Sequence, residues 1–238
     1  MMSRASARRA QPYHHGDLAH ALVAAAEDLL AERGVEGFTL RECARRAGVS
    51  HAAPAHHFGD VNGLLTAVAA AGFARLTRAM REAAEREQDQ DAALVGIGVA
   101  YVRFAFDHPA LFRLMFHSDR LDRGDENLRA AGSAASDVLK ERLAAVRRIK
   151  SALHPPEARF DPTRMRAWAV VHGIATLAIE GRLGPRGNDH DRFLLTTVRA
   201  ALRMQVEAYR REAAQARRKR APSARTRAGA QATSRARV

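Results

Sequence analysis

Between Thr39 and Phe58 the chain places arginines, histidines, hydroxyls and small residues at spacings suited to holding DNA. The run Thr39-Leu40-Arg41-Glu42-Cys43-Ala44-Arg45-Arg46-Ala47-Gly48-Val49-Ser50-His51-Ala52-Ala53-Pro54-Ala55-His56-His57-Phe58 reads as two short helices hinged at a glycine. Thr39 is the expected N-cap, with Glu42 three residues later completing a capping box. Leu40, Cys43, Ala44 and Ala47 then share an apolar face. Gly48 is expected to end that helix at positive φ. Val49 fills the corner, Ser50 is expected to cap the second helix, and Phe58 to anchor it in the core. A helix with small residues on its outer face can lie deep in a major groove. In that arrangement Thr39, Arg41 and Ser50 hold phosphates, while His51, Ala52 and Ala53 face base edges. Arg45, Ala55, His56 and His57 complete the expected DNA-binding surface. Pro54 falls in the first turn, where a missing N–H is partly tolerated.

Other chemistries find little footing. His14-His15 and His56-His57 are adjacent pairs, which point in different directions on a helix and cannot chelate one ion together. No His-x-x-x-His or Cys-x-x-Cys spacing occurs, and there is no phosphate-cradling glycine loop or nucleophile elbow. No catalytic residue, metal site or cofactor is expected, and an enzyme is excluded. Cys43 is the only cysteine, so no intrachain disulfide can form and a reducing cytoplasm fits. On the inward face of its helix it reads as a packing thiol, with a redox sensor as the alternative. No apolar run reaches the ~18 residues of a membrane span, and the start carries no signal-peptide hydrophobic region.

The elements that must position this motif are all helical. Alanine is abundant, aromatics make up only 5%, and proline and glycine separate long periodic runs. Leu18, Leu22, Ala25 and Leu29 line a first helix ending near Gly34, with Phe38 packed under the motif. A longer helix is expected over 61–87, another over 92–107 broken at His108-Pro109, and a short one through Phe116. A polar loop from Ser118 to Glu126, a helix over 128–149 and an irregular linker at 154–162 follow. Two long helices, 163–181 and 189–212, end the ordered part. In the first, Trp168, Val171, Ala175 and Ala178 form one stripe, and Val170, Ile174 and Leu177 another. A helix apolar on two sides must be covered on two sides. In the second, Leu195, Val198, Leu202, Val206 and Tyr209 step by three and four. These stripes predict a four-helix interface with a second copy, against the alternative that both face one monomeric core.

The pattern T-L-R-x-x-A-R-R-A-G-V-S-x-x-x-x-x-H-F, followed by a Leu-Leu helix and preceded by His14-His15-Gly16-Asp17-Leu18, resembles the DNA-binding domain of the TetR family of transcriptional regulators. Trp168-x-x-x-His172-Gly173 and the segment 101–116 resemble one subgroup, whose C-terminal signature is Trp-His-Gly. The resemblance implies a helix-turn-helix head at 14–76, with its motif at 39–58, and a ligand-binding and dimerisation body at 77–212. It implies a cytoplasmic homodimer that represses from a palindromic operator on double-stranded DNA. An unidentified small-molecule inducer, apolar or aromatic, releases it by pivoting the 61–87 helix against the head. The segment 101–116 holds five of the chain's thirteen aromatics, which suggests an apolar pocket lining. Tyr101, Phe104, Met115 and His172 are the candidate ligand contacts, although His172 reads more readily as a residue satisfying a buried carbonyl, with Gly173 permitting close helix contact. Two positions depart from the family pattern. Ala55 replaces an aromatic that reaches phosphate, and Gly59-Asp60-Val61-Asn62 lacks a phosphate-binding lysine. Both losses remove positioning contacts rather than base readout.

The net charge of +13 is concentrated at the ends. Residues 210–238 hold ten Lys or Arg against one Glu, and residues 1–16 hold three Arg and no acid. The body between them is nearly neutral. Residues 1–13 and 213–238 are therefore expected as disordered basic arms, which add salt-sensitive, sequence-blind affinity for phosphates or simply stay solvated. A rival function follows from them: an architectural protein coating DNA non-specifically through its tails.

Overall fold

The computed structural model describes residues 15–146, 161–183 and 189–220. The expected arm at 1–13 and linker at 154–160 lie outside them. Every described element is helical: α1 His15–Arg33, α2 Leu40–Ala47, α3 Ala53–Phe58, α4 Val61–Glu85, α5 Gln90–Asp107, α6 Pro109–His117, α7 Glu126–Val146, α8 Pro162–Ile179, α9 His190–Phe193 and α10 Arg199–Arg220. A π-helical turn, Leu194–Val198, joins the last two. The chain forms two compact units: 1–75 with 107–134, and 76–106 with 135–238.

In the first unit, α1 buries Leu22, Ala26, Leu29 and Leu30, one stripe at steps of three and four. Leu64, Leu65, Val68 and Ala69 of α4 are buried in the same unit, as is Phe38. Each such aliphatic side chain contributes about 1.5–3 kcal/mol on removal from water. The same unit takes in α6, which sequence reading gave to the body. Leu111, Phe112, Leu114 and Met115 are buried, and Phe116 packs edge-on against Phe73 of α4 at 5.2 Å. Gly72 allows this contact: a Cβ there would stand 2.7 Å from Met115 Sδ and 3.0 Å from Leu111 Cδ1. The following loop is strapped down by polar bonds. Arg120 donates to Asn62 Oδ1 and the Val35 carbonyl, and the Asp122 N–H donates to Thr66 Oγ1 at 3.0 Å. Asp125 then caps α7 by accepting from the Leu128 N–H at 2.7 Å.

In the second unit, α5 is buried nearly all round, from Ala93 to Ala105. Gly98 sits where α5 meets α8 and α10, since a Cβ there would lie 2.7 Å from Leu202 Cδ1 and 3.2 Å from Val171 Cγ1. Asp161 caps α8 through the Thr163 N–H, with Pro162 in the first turn. Arg199–Glu87 and Arg210–Asp91 ion pairs tie α10 to the α4–α5 region at 3.0 and 2.6 Å.

Two expectations about the last helices change. Val198, Leu202, Val206 and Tyr209 are all buried within the single chain, so that stripe faces its own core. Periodicity identifies which residues share a face, but not which surface covers it. The apolar side chains left exposed are Met165, Trp168 and Leu177 on α8 and Met204 on α10. The final helix also runs on to Arg220, past the expected start of the basic arm at 213. Ala, Gln, Arg and Lys fill that extension, all good helix formers; residues 221–238 are outside the described part.

Candidate DNA-contacting head and aromatic cluster

The geometry of α2 matches its sequence signals closely. Thr39 has extended φ/ψ, and its hydroxyl accepts from the Glu42 N–H at 3.3 Å. Gly48 has φ 67°, and the Val49 N–H reaches back to the Ala44 carbonyl at 3.0 Å, closing the helix as a Schellman-type cap. Only half of the expected capping box forms. The Glu42 carboxylate turns instead to two arginines, accepting from Arg45 Nε and Nη2 at 2.9 and 2.7 Å and from Arg46 Nε at 3.2 Å. Arg46 in turn donates two bonds to Glu32 of α1, the longer at 2.8 Å. These bonds, led by Arg45, hold the Glu42 carboxyl down at about 2. The chain Glu32–Arg46–Glu42–Arg45 thereby fixes α2 on α1. It was readable in part, as Glu42 precedes Arg45 and Arg46 by three and four residues. The Glu32 link is a tertiary contact that no spacing announces.

The α3 helix begins later than Ser50 would place it. Ala52 occupies the cap position without a side-chain bond, and Ser50 contributes only its carbonyl, accepting from the Ala53 N–H at 3.0 Å. Pro54 accounts for the shift: with fixed φ and no N–H it belongs in the opening turn, so the helix starts just ahead of it. Pro54 is the buried residue of α3, while Phe58 is half-buried. Thr39, Arg41, Arg45, Ser50, His51, Ala52, Ala55 and His56 are exposed, and Ala53 and His57 half-buried. Arg41 makes no ion pair among the described residues. Cys43 is fully buried, and desolvation pushes its thiol up to about 11, as a packing residue requires. After Gly59 (φ 76°), Asp60 caps α4 by accepting from the Gly63 N–H at 2.8 Å.

Of the ligand candidates, Tyr101 and His172 come together. The Tyr101 hydroxyl and His172 Nδ1 share a hydrogen bond of 2.9 Å. Trp168 joins them, donating Nε1–H to the Tyr101 oxygen at 3.4 Å and stacking on His172 with centroids 5.1 Å apart. Burial pushes the Tyr101 hydroxyl well above the usual phenol range. Phe104 is buried one turn along α5 from Tyr101. Met115 belongs to the first unit, against Gly72. Trp168 was legible as a neighbour of His172 at i, i+4, but its bond to Tyr101 crosses between helices.

A capped helix, a glycine corner and a second helix with a small exposed face define a helix-turn-helix protein, here joined to an all-helical body. Comparisons agree. Residues 22–68 match the bacterial regulatory proteins of the tetR family, and residues 94–201 match the tetracyclin repressor-like C-terminal domain. A protein of unknown function from Rhodococcus sp. RHA1 is 37% identical, over 84% of this chain and 98% of its own, with a TM-score of 0.66. A TetR family transcription regulator from Marinobacter aquaeolei VT8 shares the fold at 20% identity, over 80% of this chain and 94% of its own, with a TM-score of 0.56. Another bacterial regulatory protein in the tetR family, from Rhodococcus RHA1, shares it at 23% identity, over 79% and 96%, also at 0.56. No curated relative matches the chain significantly. The chain belongs to the TetR family of transcription regulators: it is a DNA-binding regulator, not an enzyme.

Proposed function

We propose that this regulator is a repressor that binds a palindromic operator as a homodimer and is released by a small apolar or aromatic ligand. The observation carrying the DNA side is the exposed run Ser50, His51 and Ala52 leading into α3, with Ala55 and His56 exposed on the helix itself, and an exposed Arg41 that makes no ion pair among the described residues. Arg41, Thr39 and Ser50 hold phosphate, Arg45 adds to them, and His51, Ala52, Ala53, Ala55, His56 and His57 line the groove. The dimer reading rests on Met165, Trp168, Leu177 and Met204, of which Met204 is 72% exposed. Ala200 and Ala201 of α10, and Thr197 in the turn before it, are also exposed. Small residues allow close helix approach to a second copy. Tyr101, His172 and Phe104 serve the ligand, the first two through a polar pair inside an aromatic cluster. Such a ligand works only by binding the released state better than the DNA-bound one. Trp168, His172 and Gly173 at their spacing support assigning the body to the Trp-His-Gly subgroup.

The test is selection of bound duplexes from a random DNA pool. A two-fold palindrome enriched over random DNA by roughly a thousandfold or more in affinity supports the regulator reading. Uniform binding of the pool would instead establish the non-specific coating protein.

A further inference from the structure

From Ala47 to Ala74 the chain holds no lysine or arginine. This span covers the corner of the motif, all of α3 and the first half of α4. The groups within it that can carry positive charge are His51, His56 and His57, and Asp60 is its sole acid. His51 and His56 are exposed; the His56 and His57 rings meet edge-on at 5.7 Å. Resting on the reading that α3 enters the groove, we infer that His51 and His56 take up protons on binding DNA, so that operator affinity is set by pH.

The physical basis is charge placement. Helix α2, packed against α3, carries Arg41, Glu42, Arg45 and Arg46, but the last two already hold Glu42 and Glu32. Helix α4 carries no charged side chain from Val61 to Ala74, and Asp60 is engaged with the Gly63 N–H. No carboxylate is bonded to His51 or His56 among the described residues. A free imidazole titrates near ~6.5. Phosphate oxygens and base acceptors favour the imidazolium, because only the charged ring offers two N–H donors and a cation. The ring is therefore protonated to higher pH in the complex than in the free protein. Binding is strongest below the free value and weakens as pH rises through the complexed value. Linkage sets the steepness: each proton taken up costs about tenfold in affinity per pH unit across that window. A surface built on lysine and arginine would show no such slope below pH ~9.

The experiment uses the full chain and a duplex it has itself selected from a random pool. Affinity is measured at fixed salt from pH 6 to pH 8, alongside H51Q/H56Q. The expected result is at least a tenfold loss for the natural chain, and a slope nearly abolished in the double variant, whose folding is checked by far-UV circular dichroism. Two independent duplexes guard against a base that itself titrates. A flat natural profile, or a slope that survives in H51Q/H56Q, overturns the inference while leaving α3 as a DNA reader. Failure of the pool to yield any preferred duplex overturns that reading instead. Should the double variant misfold, H51Q and H56Q singly are each expected to lose about half the slope, and an unchanged slope in both overturns the proposal.

Discussion

Arg41 and Arg45 lie one turn apart on α2 and are both exposed, yet their partners predict different responses to substitution. Among the described residues Arg41 makes no ion pair, so the contact with one phosphate proposed for it would be expressed in full. Removing it in Arg41→Ala should reduce the magnitude of the salt slope by about 0.9. Between 50 and 200 mM salt, that change alters the affinity loss by roughly 3.5-fold. Arg45 starts with two bonds to Glu42, at 2.9 and 2.7 Å. It must release an exposed ion pair worth about 0.2–1 kcal/mol before it can serve a phosphate. Arg45→Ala should therefore move the slope less than Arg41→Ala does. Glu42→Gln removes the competing charge and should increase the slope, raising affinity for random DNA more than for the selected duplex. The backbone cap survives that change, because Thr39 accepts from the Glu42 N–H and not from its side chain. Fluorescence anisotropy of labelled duplexes at four salt concentrations reads all three variants. An Arg41→Ala protein with altered sequence preference but an unchanged slope would refute the assignment. So would a Glu42→Gln protein whose slope falls.

Three other outcomes follow from burial and charge. Leu202→Ala should cost about 2–5 kcal/mol in thermal unfolding, since Leu202 is 4% exposed and seals the contact at Gly98; by contrast Leu177→Glu with Met204→Glu should leave a folded chain that runs as a monomer in light scattering, and a stable dimer of that variant would reject the proposed interface. The Glu42 carboxyl, held at about 2 by Arg45 and Arg46, supplies stability that is present above the unfolded value of ~4.3 and lost as pH falls toward 2; the difference in melting temperature between natural chain and Glu42→Gln should shrink over that window, and a constant difference down to pH 2 would contradict the geometry.

The sequence made α2 legible because its signals are local. Thr39, Glu42 and Gly48 lie within a ten-residue stretch, and Thr39 and Gly48 do their expected work on the backbone. Helix α3 was legible as an element but not in its first residue, because Ser50 and Pro54 give competing start signals and proline's covalent constraint prevails. Tertiary choices were less visible. The Val198–Tyr209 stripe has one apolar face whether the cover is α5 of the same chain or a second copy, and periodicity is the same in both cases. Gly98 was the available clue, since a glycine inside an apolar helix signals close approach by another element. Helix α6 shows the same limit. Its aromatics announced burial, but only packing on Gly72 and Phe73 assigns it to the first unit.

Charge alone points to a different part of the chain from the DNA contact proposed for α3. Most of the excess positive charge sits in residues 210–238, whereas α3 has no lysine or arginine. On the proposed reading, long-range attraction and groove reading would fall to different segments with different physics. Arginines at the ends pull on any phosphate and are screened by salt. The imidazoles and methyl groups that the proposed reading places in the groove would act only within contact distance, where base edges are distinguished. Glu42 sharpens this division, because it holds Arg45 and, through Arg46, Glu32, which limits how much sequence-blind charge the head presents. A head that holds five Arg against seven Asp or Glu over residues 14–76 should bind random DNA poorly by itself, and its preference for a sequence would then depend on the few short-range contacts that α3 can make.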